Sequence, residues 1–452
     1  MLKFTIREIK DIINARIVSG DPEYSITGVN IDSRAIQEGN LFIALKGDNF
    51  DGHDFIPQAI SNGARAVIIC NDLKEYQPGI TYLKTADSYW ALEELALNYR
   101  RKFDIPVISI VGSCGKTITK EMTAGILEKK FRVLKNPENE NNAIGVSKVI
   151  LNLNASHQAL VLELGTNHFG EIKRLSAIAR PTRVCFTNIA CTHIEFLKDL
   201  DGVRDEKLSV LEEMGEDGFV AFNADDERLK SLEKSPFKKV TYGLREEADF
   251  SAREINCSNT GVDFLLNKKD EISIKMLGTH QVYNALAAIA ITSQLGIKID
   301  QVKEALSEIS PMPMRGEVSK INEVEVIDET YNSNPYSVRR SLELFRDFKT
   351  SGRKIIALGD MLELGKESAQ LHEKVGQLAG DLKPDLLVAV GNFSDHVLKG
   401  AASAGLRSDA MVKCATSNEA GDYLKNILHP NDTILIKGSR GIAMERIMER
   451  LK

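Results

Sequence analysis

Nowhere in this sequence of 452 residues is there a run of about 18 apolar residues, so no segment is expected to span a bilayer. A secretory signal is missing as well: Leu2-Lys3-Phe4-Thr5-Ile6-Arg7-Glu8 brings in charge before an apolar region of that length can form. Cysteine is sparse. The six thiols (Cys70, Cys114, Cys185, Cys191, Cys257 and Cys414) include no C-x-x-C pair, and a chain this long needs no disulfide to hold a core. Reduced thiols in a cytoplasm and no zinc site are the expectations. Excess charge of one sign is lacking too: 58 Lys+Arg against 64 Asp+Glu leave a net charge of -6. That balance gives no electrostatic reason to expect a nucleic acid or an anionic membrane as partner. Repeats, low-complexity tracts and heptad arrays do not occur, which excludes solenoids and coiled coils.

What is there is ordinary globular composition, 43% hydrophobic and 27% charged. At roughly 100–200 residues per domain, the length predicts about three domains. Residues 1–103 read as a small α/β domain. Strands at Gly28–Ile31, Leu41–Ala44, Ala66–Ile69 and Thr81–Leu83 lead to a helix over Ser88–Arg101, N-capped by Ser88. Residues 104–312 open on Ile105–Val111, the kind of short apolar run that forms a buried parallel strand. Further strands fall at Ala159–Leu162, Arg183–Phe186 and Gly218–Phe222, with helices over Lys116–Lys129 and Gly170–Arg180 between them. Asp249–Met276 reads as shorter strands and Gln281–Leu295 as an alanine-rich helix. Ser310-Pro311-Met312-Pro313 breaks the pattern. Residues 313–452 then repeat the alternation, with strands near Val324–Ile327, Lys354–Leu358, Asp385–Val390 and Thr433–Ile436. Helices fall near Ser337–Phe348, Ser368–Ala379 and Glu419–Ile427.

The best single motif is Gly112-Ser113-Cys114-Gly115-Lys116-Thr117, set directly after the first central strand and directly before a helix, with Ile118 next. Glycines let the backbone turn so that several N–H groups face one anion, and the helix N-terminus adds partial positive charge. Lys116 can reach β/γ-phosphates and the Thr117 hydroxyl can help hold Mg²⁺. The common form, G-x-x-x-x-G-K-[ST], would put its first glycine at Ile110, so this is a shorter version. A bound nucleotide is the expectation, with a plain strand-to-helix turn as the alternative.

Other segments follow in order: Asn141-Asn142-Ala143-Ile144-Gly145-Val146, Leu162-Glu163-Leu164-Gly165-Thr166-Asn167-His168-Phe169-Gly170, Thr187-Asn188-Ile189 with His193, and Gly278-Thr279-His280-Gln281-Val282-Tyr283-Asn284. Then come Met314-Arg315-Gly316-Glu317, Asp328-Glu329-Thr330-Tyr331-Asn332-Ser333-Asn334-Pro335, Gly359-Asp360-Met361-Leu362-Glu363-Leu364-Gly365 and Lys437-Gly438-Ser439-Arg440. Together with the short loop, and over nearly the whole chain, these resemble the Mur ligase family. The Tyr-Asn-x-Asn-Pro and Gly-Asp-Met-x-Glu-Leu-Gly segments are those of the branch that joins D-alanyl-D-alanine to UDP-N-acetylmuramoyl-tripeptide in peptidoglycan precursor synthesis. The Asp-Asn-Pro-Arg run of the diamino-acid-adding branch is not found.

The resemblance implies three α/β domains: a small N-terminal one for the UDP-substrate, a central mostly parallel P-loop-type sheet wrapped by helices for ATP, and a C-terminal Rossmann-like one. It implies a cytoplasmic monomer that uses ATP and Mg²⁺. By resemblance Glu163, His193 and Lys207 join Thr117 at the metal, and Lys207 falls where many members carry a lysine carbamate. A strand-end carboxylate suits Mg²⁺. An imidazole is a poor partner for it, so His193 rests on the motif alone. Carbamate formation needs a neutral lysine, which burial can supply; an exposed helix lysine in Arg204-Asp205-Glu206-Lys207 is the alternative. Asn284 resembles the adenine-binding residue, Arg315 an ATP contact and Asp328 one near the ribose. Ser33, Arg34 and Lys46 resemble the uridine-nucleotide region; Asn332, Asn334, Ser337, Lys437 and Arg440 are candidates for the dipeptide. Asn188 is read as structural, bonding loop backbone after a strand that it ends. Cys114 stands where a smaller polar residue is usual, which leaves an oxidation-sensitive loop open. Two other readings remain: another Mur ligase or a folylpolyglutamate synthetase, and a P-loop kinase or nucleotide switch.

Overall fold

A computed structural model describes residues 4–47, 49–138, 140–245 and 247–452. Its strands gather mainly into three sheets, each α/β and each mostly parallel. The first has the order Arg16–Ser19, Thr81–Lys84, Ala66–Ile69, Asn40–Ile43, Gly28–Asn30, antiparallel only at its first pair. The third runs Glu317–Ile321, Val324–Glu329, Thr433–Lys437, Lys354–Gly359, Leu386–Val390, Met411–Cys414, again antiparallel only at its first pair.

Between them in sequence lies a nine-stranded sheet. Val107–Val111 sits well inside it, between Ala159–Glu163 on one side and Arg183–Phe186 on the other, all parallel. Its residues alternate between two cores. Val107 and Val111 pack with one apolar cluster, Ile108 and Ile110 with the other. Each is fully buried, which stabilises the strand by about 1.5–3 kcal/mol per side chain. The chain leaves this strand for neighbours on both sides, so a crevice opens at the strand C-termini, where open α/β sheets bind ligands. Three antiparallel strands, Phe250–Ser258, Gly261–Leu266 and Asp270–Ile274, finish the far edge.

Some boundaries differ from expectation for local reasons. The helix Ser88–Arg100 is capped by Asp87, not Ser88, because the Asp87 carboxylate accepts from both the Tyr89 and Trp90 amides. The strand Arg183–Phe186 has the bounds expected of it; Asn188 lies beyond its end rather than closing it, and turns back onto the loop after Val111. Short elements with half-exposed faces, Val133–Lys135 and Glu317–Ile321, had no clear apolar signature. Among the described residues no helix is long and apolar enough to cross a membrane.

Candidate active site

The loop after Val111 is bound to the adjacent strand end. Asn188 O accepts from the Ser113 amide at 2.9 Å, Asn188 Oδ1 from the Cys114 amide at 3.0 Å, and the Asn188 Nδ2 and Thr187 Oγ1 groups both donate to Cys114 O. Two glycines are required. A Cβ on Gly112 (φ +153) would lie 1.9 Å from Thr187 Oγ1, and one on Gly115 (φ +80) would lie 2.3 Å from Asn284 Oδ1. Gly115 precedes the helix Lys116–Glu128, whose first-turn amides have no acceptor within the helix and face the crevice. No carboxylate of the described residues pairs with the Lys116 ammonium; its one hydrogen-bond contact is Ser113 O at 3.5 Å.

Two buried groups of opposite kind lack ion-pair partners among the described residues. Glu163, the last residue of its strand, is 3% exposed. Thr117 Oγ1 donates to one of its oxygens at 2.7 Å and Asn141 Nδ2 to the other at 2.8 Å, but no cationic side chain of the described residues pairs with it. Lys207 is buried on the helix Leu200–Leu208, also without an ion pair among the described residues. Burial, and next the charge of Lys116, push its pKa down to about 7. The exposed-lysine alternative is thereby set aside.

His193 stands in left-handed conformation (φ +55) ahead of the turn Ile194–Leu197. Its Nδ1 hydrogen-bonds the carboxylate of Glu363, which comes from the third sheet's domain and whose pKa this contact lowers.

A cavity of about 490 Å³ brings most of the candidates together, a size typical of small-molecule sites. Ser113, Cys114, Gly115, Lys116, Thr117, Ile118, Glu163, His193 and Asn284 line it from the central sheet. Arg315, Asn332, Asn334, Ser337 and Lys437 line it from the C-terminal one. Lys437, fully buried, donates to Glu329 and to Asn332 O, each at 3.1 Å. The Arg315 guanidinium lies over the Tyr331 ring at 3.6 Å. Asn334 caps the helix Pro335–Asp347 and reaches the Cys114 sulfur with its amide nitrogen at 3.3 Å. Burial raises the Cys114 thiol pKa, which works against the thiolate that oxidation needs.

Other candidates stand apart. Gly112 and Lys207 do not line the cavity. The Asp328 carboxylate is taken up by the Thr330 amide and hydroxyl, and Arg440 pairs with Glu445 at 2.9 Å. In the first domain Ser33 donates to Gln58, Arg34 forks onto Asp32, and the Lys46 carbonyl accepts from Tyr89; none of the three lines the cavity. Sequence reasoning overlooked Asn141, Glu329, Tyr283, Tyr336, Arg340 and Glu363. Asn141, Tyr283, Glu329 and Glu363 lie inside motifs already singled out and so carried a signal that was open to use; Tyr336 and Arg340 do not.

A phosphate-loop sheet whose strand ends face a second α/β domain across one cavity defines a multidomain P-loop-type α/β protein. Three family models divide the chain: "Mur ligase family, catalytic domain" matches residues 25–111, "Mur ligase middle domain" 110–292 and "Mur ligase, glutamate ligase domain" 314–440. A Bacillus subtilis protein named UDP-N-acetylmuramoyl-tripeptide–D-alanyl-D-alanine ligase is 30% identical, the match covering 100% of this chain and 99% of that one. The chain belongs to the Mur ligase family. Crystal structures agree: MurF from Acinetobacter baumannii superposes with a TM-score of 0.90 at 29% identity over 100% and 99% of the two chains. MurF from Thermotoga maritima, in complex with ADP, gives 0.81 at 25% over 94% and 96%.

Proposed function

We propose that this protein joins D-alanyl-D-alanine to UDP-N-acetylmuramoyl-tripeptide with ATP, releasing ADP and phosphate, as a cytoplasmic monomer in peptidoglycan precursor synthesis. The observation that carries the reading is a cavity shared by the phosphate loop and Glu163 with Asn332, Asn334 and Lys437 of the C-terminal domain. The names of the relatives support it: ligases of that substrate pair, and one bound to ADP. Residues 1–103 bind the UDP-substrate through Ser33, Arg34 and Lys46. Residues 104–312 bind ATP through the loop Gly112–Ile118 and Asn284. Residues 313–452 bring Arg315 and Asp328 toward the nucleotide, and Asn332, Asn334, Ser337, Lys437 and Arg440 toward the dipeptide.

Magnesium fits the donors present. A buried carboxylate without a cation, hydrogen-bonded to a hydroxyl, is an electrostatic vacancy for one. Among the described residues no three His, Cys, Asp or Glu side chains converge as a ligand set, so water and phosphate would complete the shell, as Mg²⁺ favours. Thr117, Glu163, His193 and Lys207 (as its carbamate) would hold it. When bound, it neutralises charge on the phosphate oxygens.

The chain's own groups do the rest. A carboxylate oxygen of the tripeptide attacks the γ-phosphorus as the bond to the β–γ bridging oxygen breaks, giving an acyl phosphate and ADP. Lys116 and the first-turn amides bear the charge that builds up on the phosphoryl oxygens. The dipeptide's neutral amine then attacks the acyl carbon; phosphate leaves and the nitrogen gives up a proton. Lys437 and Arg315 add positive charge from the other wall, and closure of that wall keeps water from the acyl phosphate. ADP release assayed with D-alanyl-D-alanine, a diamino acid and glutamate as acceptors tests the reading. Release that needs the dipeptide supports it. Release with glutamate alone, or slow hydrolysis indifferent to any acceptor, contradicts it.

A further inference from the structure

Glu363 has no place in the reaction just described, yet among the described residues it makes the one hydrogen bond of the His193 side chain. The bond goes to Nδ1. No described residue hydrogen-bonds Nε2, and His193 lines the same cavity as Lys116 and Glu163. A carboxylate on Nδ1 keeps the proton there and leaves the Nε2 lone pair available; this is how ligating histidines are commonly oriented.

The contact is built from two sides. On the His193 side, the Phe196 and Leu197 amides donate to His193 O at 3.0 and 2.9 Å, fixing the turn in its left-handed start. Glu363 is left-handed too (φ +60), and its own carbonyl accepts from the Glu195 amide at 3.2 Å. Gly365 (φ +55) lies against Glu195, where an added Cβ would come within 3.3 Å of the Glu195 Cα. Strained backbone at both ends persists only where the surroundings enforce it. The Glu363 loop is in turn tied into its own domain. The Met361 amide donates to His372 Nε2 at 2.8 Å, the Leu362 amide to Ser439 Oγ at 2.9 Å, and the Ser439 amide to Asp360 O at 3.0 Å. The backbone that carries Glu363 is therefore part of the C-terminal domain and travels with it.

We infer that Glu363 is the positioning residue for His193, delivered across the domain junction so that the imidazole is aimed at the metal only while the C-terminal domain is docked. The inference rests on the reading of His193 as a metal-side group. Docking would then supply the dipeptide residues and finish the metal side in a single movement, so an undocked enzyme would not activate the tripeptide ahead of its acceptor.

The test uses the full chain with Mn²⁺ and a non-hydrolysable ATP analogue. Electron paramagnetic resonance reads both free Mn²⁺ and imidazole nitrogen coupling to bound Mn²⁺. In the wild type the coupling is present. Glu363→Ala weakens Mn²⁺ binding by about 10–100-fold and diminishes the coupling, while Glu363→Gln, which still accepts from Nδ1, falls between. In a His193→Ala background, Glu363→Ala adds nothing further. Metal-free analogue affinity equal to wild type shows that the variants are folded. Coupling that survives Glu363→Ala at full strength, or losses that add completely in the double variant, overturn the role of Glu363 and leave that of His193 intact. A wild type that forms ADP but shows no nitrogen coupling removes His193 from the metal, and this inference with it.

Discussion

Lys207 gives the sharpest energetic test. Its ammonium is buried without an ion pair among the described residues, and its pKa is pushed from 10.5 down to about 7. Below pH 7 the lysine is protonated folded and unfolded alike, and the fold carries the whole cost of the buried charge. Between pH 7 and 10.5 only the unfolded chain binds the proton, so stability rises with pH across that window and levels off above it. At 1.36 kcal/mol for each pH unit, the gap corresponds to about 5 kcal/mol. Lys207→Met keeps the length and removes the charge. In CO₂-free buffer at pH 6 it should unfold at higher urea than the wild type, by an amount approaching that figure, and its advantage should shrink by about 1.4 kcal/mol per pH unit above pH 7. Circular dichroism of urea unfolding at pH 6, 8 and 9.5 reads the difference, because titrations of groups away from Lys116, Glu206 and Cys114, the charged neighbours of Lys207, cancel between the two proteins. Added bicarbonate should stabilise the wild type alone, since only a neutral lysine takes up CO₂. A Lys207→Met protein no more stable than wild type at pH 6, or a difference flat with pH, would refute the reasoning.

Two further substitutions follow from the same physics. Lys116→Ala should lower ADP formation by at least about 100–1000-fold, while equilibrium binding of the UDP-tripeptide is retained; unchanged turnover would remove the phosphate loop from the chemistry. Lys437→Met strands the Glu329 carboxylate, only 14% exposed, and should destabilise the protein by about 3 kcal/mol in urea unfolding at pH 7. Glu329→Gln added to it should recover most of that loss, and a double variant as unstable as the single would contradict the pairing.

Much of this architecture was open to reading because it is local. Val107–Val111 announces a two-faced buried strand by its apolar run, and Gly112–Thr117 supplies the turn chemistry within a few residues of it. Glu163 was legible for the same reason, as a carboxylate closing an apolar strand. Asp87 was missed in favour of Ser88 because two capping residue types stood side by side, and the carboxylate's two acceptances decided the contest. What sequence could not supply is distance. Glu363 lies 170 residues from His193, and Asn334 lies 220 from Cys114; their meeting depends on how two domains dock, which no local pattern encodes. The unpaired state of Glu163 and Lys207 is likewise a property of packing. Conversely, Ser33, Arg34 and Lys46 matched a motif, yet they sit apart from the cavity, the Ser33 and Arg34 side chains already engaged with their own neighbours.

The central claim is that a carboxylate is phosphorylated before the amide forms, and one isotope measurement addresses it directly. The tripeptide's terminal carboxylate is labelled with ¹⁸O at both oxygens, turnover is run with ATP and D-alanyl-D-alanine, and the phosphate released is analysed by mass spectrometry. One ¹⁸O per phosphate is the expected result, with the other retained in the new amide. Phosphate free of label, formed alongside the amide product, would contradict the acyl-phosphate route and the role given to the phosphate loop.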